Sequence, residues 1–404
     1  MRLSPVKISD LKSDILKLVR NTGEISRAEL ARTLKLSPST AGIYVEHLKA
    51  DGFLLETGKL MPESGPGRPS LLLKLNPEGG EFVGIDFEAR RILAAAVDFA
   101  DTPLRHAQTE ISPGDTAAEV VRKIERTIRQ VLPEKRGRLL AIGAGVPGIV
   151  NSADGVAVHY KYISKWKNIL LAKRLREKFA VPVYLENNAR SMALAELWFG
   201  QGQGARNFVC LGIRSGIGAG MVLNGQLYSG SRHGAGEFGR WRSPMLSERA
   251  KAWYENGSGK PVAPGPELQE IASVRAIQRA LQKAIALGEK TILTKKNTDV
   301  TQQDVVSAVQ CRDPLAMFVV AEAGKSLGWA IAQLSLLTDP EKIVIAGPLT
   351  QFDDTLMHPL RATMESILAP SESCIPEVVY STMGEFSGAL GAAALALQEW
   401  RPAR

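Results

Sequence analysis

Cysteine is scarce in this chain of 404 residues: Cys210, Cys311 and Cys374 lie far apart, and no Cys-x-x-Cys pair occurs. The sequence therefore contains neither a recognisable zinc ribbon nor a disulfide framework. It also lacks a run of about 18 uncharged apolar residues, which a membrane-spanning helix requires. No apolar segment follows the N-terminus, so we expect no secretory signal and a cytoplasmic protein without a membrane partner.

The overall composition is that of a soluble globular protein, with 45% apolar and 23% charged residues. A chain of this length is expected to form two or three domains. The net charge of +8 is unevenly distributed, because residues 1–75 contain twelve Lys and Arg against eight Asp and Glu. This excess indicates a polyanionic partner for the N-terminal segment. The charge alone is a weak indication, because many basic domains bind nothing acidic.

The first fifty residues predict three helices. Apolar residues recur with helical spacing in KISDLKSDILKLVRNTG, which Gly23 ends. Ser26 and Glu29 form a capping box for a short second helix, and Ser37 followed by Pro38 begins a third. Two short helices joined by a tight turn after a longer helix are typical of a helix-turn-helix.

The third helix is predicted to bind DNA through small polar side chains at its N-terminal end, since these suit contacts with phosphates and base edges. Ala41, Val45 and Leu48 would pack inward, while Ile43 could face either way. A helical protein-interaction module is the alternative interpretation. The candidate DNA-binding residues are Arg27, Ser37, Ser39, Thr40, Tyr44 and Arg68.

The segment FLLETGKLMPESGPGRPSLLLKLN has two β-rich runs around a Gly/Pro/Ser loop, a pattern that predicts a wing. Within this loop Arg68 lies between Gly67 and Pro69, where the backbone cannot be helical. An extended cationic arm of this kind can enter a minor groove. An ordinary linker with a solvated arginine remains the alternative. We expect a winged helix-turn-helix DNA-binding domain over residues 1–76.

Residues 77–404 read as an α/β body, because strands alternate with helices. EFVGIDFEARRILAAAVDF predicts two strands, and RLLAIGAGVPGIV and VPVYLENN predict one strand each. ARNFVCLGIRSGIGAGMVLNGQLYSG predicts further strands and a hairpin at Asn224-Gly225. KIVIAG and EVVYS follow a long helix over 313–337. The Gly-rich turn GIRSGIGAG alone is weak evidence of phosphate binding.

The order of these motifs resembles the ROK family (repressors, open reading frames and kinases) from about Phe82 to Ala394. The resemblance implies a two-lobed actin-like ATPase (ribonuclease H-like) body for ligand sensing and dimerisation, and the preceding winged helix is similar to the repressor branch. The motifs that carry it are GAGVPGIV at 143–150, LENNARSMALAE at 185–196, GIGAGMVLNGQLYSGSRHGAGEFG at 216–239 and IVIAGPL at 343–349.

Two departures from the family's kinases indicate that no residue is catalytic. The resemblance implies an Asp-x-Gly-Gly-Thr loop near ATP, but here Glu88 and Ala89 occupy the glycine positions after Asp86. It also implies a base in a Glu-Asn-Asp triplet, and Asn188 stands in its place. An amide cannot take a proton from a hydroxyl near neutral pH, so phosphoryl transfer should fail.

Sugar binding does not need a base, because directed donors and acceptors are sufficient. The candidate ligand-binding residues are Gly145, Glu186, Asn187, Asn188, Glu237 and Arg240. The family's zinc ligands are missing, since Arg240 replaces a histidine and no cysteine cluster follows. Arg240 and Arg242 could receive an anionic ligand or could be surface residues. We expect no metal and no cofactor, and His233 is interpreted as a loop residue.

The sequence thus predicts a transcriptional repressor of carbohydrate-metabolism genes that binds a double-stranded operator as a homodimer or higher oligomer. Its body would sense a sugar or sugar derivative without phosphorylating it. Two alternatives remain: a ligand-independent DNA-binding regulator with a decayed pocket, and an active sugar kinase with an appended DNA-binding domain.

Overall fold

The computed structural model describes residues 8–60, 70–88, 90–132, 137–254, 265–293, 299–369 and 375–402. Arg68, Ala89 and Cys374 lie outside these residues. The chain divides into two compact units, residues 1–187 with 392–404 and residues 188–391. The first unit contains both the winged helix and the first part of the body, so the division at 76/77 stays a prediction.

The described residues between 8 and 75 form the predicted winged helix. Its elements are α1 Ile8–Thr22, β1 Glu24–Ser26, α2 Arg27–Thr33, α3 Pro38–Ala50, β2 Leu54–Leu60 and β3 Ser70–Leu75. The strands form one antiparallel sheet in the order β1-β3-β2. Gly23, with φ of 75°, ends the first helix where the sequence predicted.

The remainder of the first unit is built on a five-stranded sheet. Its elements are β4 Glu81–Phe87, β5 Arg91–Asp98, β6 Pro103–Glu110, α4 Ala117–Gln130, β7 Leu139–Val146, β8 Ile149–Asn151, β9 Val156–His159, β10 Lys167–Ile169, α5 Leu171–Phe179 and β11 Val183–Asn187. The sheet has the order β11-β7-β4-β5-β6, and β8, β9 and β10 form a separate small sheet. The buried side of α4 packs on the strands in one apolar core.

The second unit repeats this sheet plan. Its elements, including the closing helix that returns to the first unit, are α6 Asn188–Phe199, β12 Phe208–Ile213, β13 Ile217–Leu223, β14 Gln226–Tyr228, α7 Glu248–Tyr254, α8 Leu268–Ala272, α9 Val274–Ala286, α10 Gln302–Gln310, α11 Pro314–Thr338, β15 Lys342–Ala346, α12 Asp353–Leu368, β16 Glu377–Tyr380 and α13 Ser387–Glu399. Its sheet has the order β14-β13-β12-β15-β16.

In each unit a three-stranded antiparallel meander is extended by two parallel strands. The same order in both units identifies a duplicated α/β architecture, as the resemblance implied. The helix α11 is long and apolar enough to cross a membrane by composition, but 72% of its most apolar window is buried. It is a core helix of the second unit, and it packs along α12 through Gly324 and Gly328.

Candidate nucleic-acid interface and ligand-binding residues

The third helix has the predicted start and the predicted inward face. The Ser37 hydroxyl accepts a hydrogen bond from the Thr40 backbone N–H at 3.1 Å, and Pro38 takes the first helical position. Three side chains at helical spacing are buried against the rest of the winged helix, namely Ala41, Val45 and Leu48. The opposite side of α3 is therefore exposed to solvent.

The N-terminal half of α3 carries a cluster of hydroxyl groups. The Ser37 hydroxyl lies 2.9 Å from that of Ser39 and 2.7 Å from that of Thr40. Ser37 and Ser39 are exposed, whereas Thr40 and Tyr44 are half-buried, and the Tyr44 ring meets the His47 ring edge-on. All four predicted residues thus lie on one helix, and their contacts with DNA stay a prediction.

The charged residues near α3 are paired within the protein. The Arg27 guanidinium contacts the carboxylates of Glu46 and Glu56, and the Lys49 ammonium lies 3.4 Å and 3.0 Å from the same two groups. The hydrogen bond from Arg27 lowers the pKa of Glu46, and those from Lys49 and Arg27 lower the pKa of Glu56. Arg27 therefore neutralises a carboxylate on α3, and a direct role in DNA binding stays a prediction.

Two candidate ligand-binding residues, Gly145 and Glu186, lie beside Asp86 at the carboxyl ends of parallel strands. Asp86 on β4 pairs in register with Gly145 on β7, which pairs with Glu186 on β11. Parallel strands place their ends at one edge of the sheet, where α/β proteins bind ligands. Asp86 and Glu186 are both buried at this edge.

Hydrogen bonds connect the end of β11 to the loop after β7. A carboxylate oxygen of Glu186 accepts from the Asn187 backbone N–H at 2.6 Å and from the Ser152 hydroxyl at 3.3 Å. The side-chain amide of Asn187 donates to the Gly148 carbonyl at 3.1 Å. Glu186 thus holds the backbone at the end of β11, and Asn187 connects this segment to the GVPG loop at residues 145–148.

In the second unit α6 begins at Asn188, and Arg190 anchors the loop that leads to Glu237. The buried Arg190 guanidinium donates to the carbonyls of His233 and Ala235 at 3.0 and 3.1 Å. Arg190 is not among the residues predicted from the sequence. A cation in the apolar helix ARSMALAE was the available signal, since such a residue is buried only when it is bonded.

The same loop is held from the opposite side by β13. The Ala219 N–H donates to the Gly236 carbonyl at 2.8 Å, and a Cβ on Gly236 would lie 1.9 Å from the Ala219 carbonyl oxygen. Gly236 also has φ of 93°, so both space and conformation require glycine. The backbone immediately before Glu237 is therefore held in one position.

Glu237 and Arg240 follow this loop on a 3-10 turn over Phe238–Arg240. Their side chains form an ion pair at 2.9 Å and are 54% and 65% exposed. Arg242 differs, because its guanidinium donates to the Gly265 carbonyl at 2.7 Å and so has a structural contact. Of the two arginines considered for an anionic ligand, Arg240 is the more accessible to solvent.

The β4–β5 connection differs from the glycine-containing loop that the family resemblance implies for the kinases. Glu88 closes the β4–β5 connection, where its backbone N–H donates a hydrogen bond to the Arg91 carbonyl at 3.1 Å.

No group of three or more His, Cys, Asp or Glu side chains comes together among the described residues. His233 sits in the loop with φ of 55°, which agrees with its interpretation as a loop residue.

The fold and these sites define a DNA-binding transcriptional regulator in which a winged helix precedes a duplicated α/β body of the actin-like ATPase fold. Residues 82–399 match the model of the ROK family, and residues 8–54 match a winged helix-turn-helix DNA-binding model. The chain therefore belongs to the ROK family, as its motifs indicated.

Individual relatives include both regulators and kinases. A xylose repressor from Caldicellulosiruptor bescii is 25% identical, over 86% of this chain and 85% of its own. A glucokinase from Halalkalibacterium halodurans is 28% identical, over 79% and 95%. The crystal structure of a ROK family transcriptional regulator, a homologue of the E. coli MLC protein, superposes with a TM-score of 0.77 at 25% identity, covering 96% of each chain.

Proposed function

We propose that this protein is a cytoplasmic repressor of carbohydrate-metabolism genes whose ROK body senses a sugar or sugar derivative without phosphorylating it. The match to a xylose repressor along most of both chains supports the assignment to carbohydrate metabolism. A homodimer would bind a double-stranded operator with its two α3 helices about 34 Å apart, which is one turn of DNA.

The absence of catalysis is inferred from the identity of residue 188. The family resemblance places a general base at this position, and here Asn188 begins α6 directly after β11. Its amide has no proton-accepting site of useful basicity at neutral pH, but it can still donate to and accept from a sugar hydroxyl. Glu88 in the β4–β5 connection adds a negative charge where the family approaches a triphosphate.

Sugar binding can regulate DNA binding only through a difference in affinity. A ligand that binds two conformations equally leaves their populations unchanged, however tightly it binds. The proposal therefore requires that the sugar bind the operator-competent conformation either more weakly or more tightly than the other conformation. The sign of this difference determines whether the sugar acts as inducer or co-repressor.

The test combines a phosphotransfer assay with an operator-binding assay on the full chain. With γ-labelled ATP and a panel of aldoses, we expect no sugar phosphate above the protein-free background. One sugar or derivative should change operator affinity, and Asn188→Ala should abolish that change while leaving the affinity without sugar intact. ATP-dependent formation of a sugar phosphate would refute the absence of catalysis.

A ligand-independent regulator is the second candidate. It is favoured by the ion pair between Glu237 and Arg240, which occupies two candidate ligand-binding groups. A thermal-shift screen with sugars, sugar phosphates and uronic acids separates the two candidates. Stabilisation by none of these compounds, together with intact operator binding, would support the second candidate.

A further inference from the structure

Gly42 stands in the middle of α3, and the described part of the chain provides no reason for a glycine there. A Cβ at this position would meet no heavy atom of the described residues within 4 Å, and φ is not in the left-handed region. Glycine weakens a helix, because it loses more backbone entropy on folding than any other residue. A role for the bare backbone must therefore involve a partner outside the chain.

Ile43, the next residue, adds an independent observation. Its side chain is 56% exposed and lies on the side of α3 opposite the buried Ala41, Val45 and Leu48. The outward residues one turn before and after it are Ser39 and Glu46. Since Arg27 pairs with Glu46, the negative charge next to Ile43 is compensated, and Ile43 is the exposed large apolar side chain of this face.

We propose that Gly42 and Ile43 form an apolar reading edge that contacts the 5-methyl group of a thymine in the major groove. This inference rests on the proposed operator binding. The thymine methyl is the one apolar group on the major-groove edges of the four base pairs, and apolar side chains recognise it. Gly42 lets the α3 backbone approach the bases closely enough for the short Ile43 side chain to reach them.

The surroundings of this edge favour DNA over an apolar protein surface. At the start of the same helix, the Ser37 hydroxyl lies 2.9 Å from that of Ser39 and 2.7 Å from that of Thr40. Hydroxyl groups of this kind contact phosphates and fix the register of a recognition helix on the duplex. An apolar protein partner would cover these hydroxyls without offering them hydrogen bonds of its own.

The test removes the methyl group from the DNA and the apolar group from the protein. A binding site is selected from random duplexes with the full chain, and each thymine is replaced in turn by deoxyuridine. We expect one thymine per half-site whose replacement weakens wild-type binding about five-fold or more. Ile43→Ala should bind the thymine and deoxyuridine duplexes equally.

Gly42→Ala separates folding from recognition. It should raise the unfolding midpoint by about 2 °C, since alanine favours the helix, and weaken selected-site binding about ten-fold through steric obstruction. The control is Asp14→Ala, at an exposed position of α1. This variant should gain a similar amount of helix propensity and should bind DNA with unchanged affinity.

The outcomes distinguish the two proposals. Tight selected-site binding that is insensitive to every deoxyuridine replacement overturns the reading edge and leaves the regulator intact. Sensitivity that persists in Ile43→Ala also overturns it. Failure to select any sequence overturns operator binding itself. Dissociation of a protein complex by Ile43→Ala, with unchanged DNA binding, would assign this face to a protein partner instead.

Discussion

Arg20 connects the winged helix to the body within the first unit. Its guanidinium donates to both carboxylate oxygens of Asp101 at 3.0 and 3.1 Å, and to the Phe99 carbonyl at 3.0 Å. It also lies 5.4 Å from the centre of the Phe99 ring, which stacks on Phe53 of the winged helix at 4.9 Å. Trp400 packs edge-on against both rings. We predict that Arg20→Met destabilises this junction.

The magnitude follows from the burial of the pair. Removing one partner of a fully buried pair costs about 3–5 kcal/mol, because the other charge stays buried without compensation. The side chains of Arg20 and Asp101 are 11% and 21% exposed. Water therefore reaches part of the carboxylate, and we expect a loss of about 2–3 kcal/mol in the free energy of unfolding.

The loss should depend on pH. Burial raises the pKa of Asp101 above its ordinary value even beside Arg20, whose own pKa burial lowers. Without the guanidinium the pKa of Asp101 rises further. A carboxyl group with a raised folded-state pKa binds its proton more tightly in the folded state, so stability falls as pH rises through that pKa. The penalty should be small below the ordinary Asp pKa and should grow as pH rises through the raised folded-state pKa.

Urea unfolding followed by circular dichroism measures the loss, and hydrogen exchange of α1 peptides locates it. Arg32→Met, at an exposed position of α2, is the matched control. Adding Asp101→Asn to Arg20→Met should recover more than about 1 kcal/mol, since it removes the uncompensated charge. If Arg20→Met behaves like Arg32→Met in stability and in α1 exchange, the pair does not hold the winged helix in place.

Three further outcomes are expected. Burial raises the pKa of Glu196 despite the hydrogen bonds that its carboxylate accepts. Glu196 therefore stabilises the folded state below the ordinary carboxyl pKa, and this stabilisation is lost as pH rises through the raised value. Glu196→Gln should remove this slope and be at least as stable at about pH 8 in urea titrations. Gly236→Ala should cost about 3 kcal/mol by thermal unfolding, whereas Gly234→Ala, with open space around it, should cost little. Arg190→Met should speed hydrogen exchange over residues 229–237 and weaken the change in operator affinity caused by the sugar. Unchanged exchange would show that this loop is ordered without Arg190.

Most elements with strong local signals were predictable. The cap at Ser37, the stop at Gly23 and the Asn224-Gly225 turn are determined by neighbouring residues, and all three lie where the sequence placed them. The helix α4 was not predicted, although Thr116 and Glu119 form a complete capping box at its start. The short strands β8 to β10 were not predicted either, because three- and four-residue strands carry too little periodicity.

The candidate site was predicted less completely, because bonding partners are not encoded in the spacing of a motif. Arg190 is joined to carbonyls more than forty residues away. Glu186 stays a predicted ligand contact, and only the structure shows that its carboxylate also accepts a hydrogen bond from the backbone N–H of Asn187. Ile43 could face either way by sequence, and only the packing of α3 left it exposed.

The sequence by itself determined the winged helix, the order of the ROK motifs and the loss of a carboxylate at residue 188. These depend on residue identity and on contacts within a few positions of the chain. Tertiary structure alone decided that Arg27 pairs with Glu46, that Arg20 reaches Asp101, and that a Cβ on Gly42 would meet no heavy atom of the described residues within 4 Å. Each of these outcomes depends on which distant surfaces meet when the apolar faces are buried, and burial is a property of the whole fold.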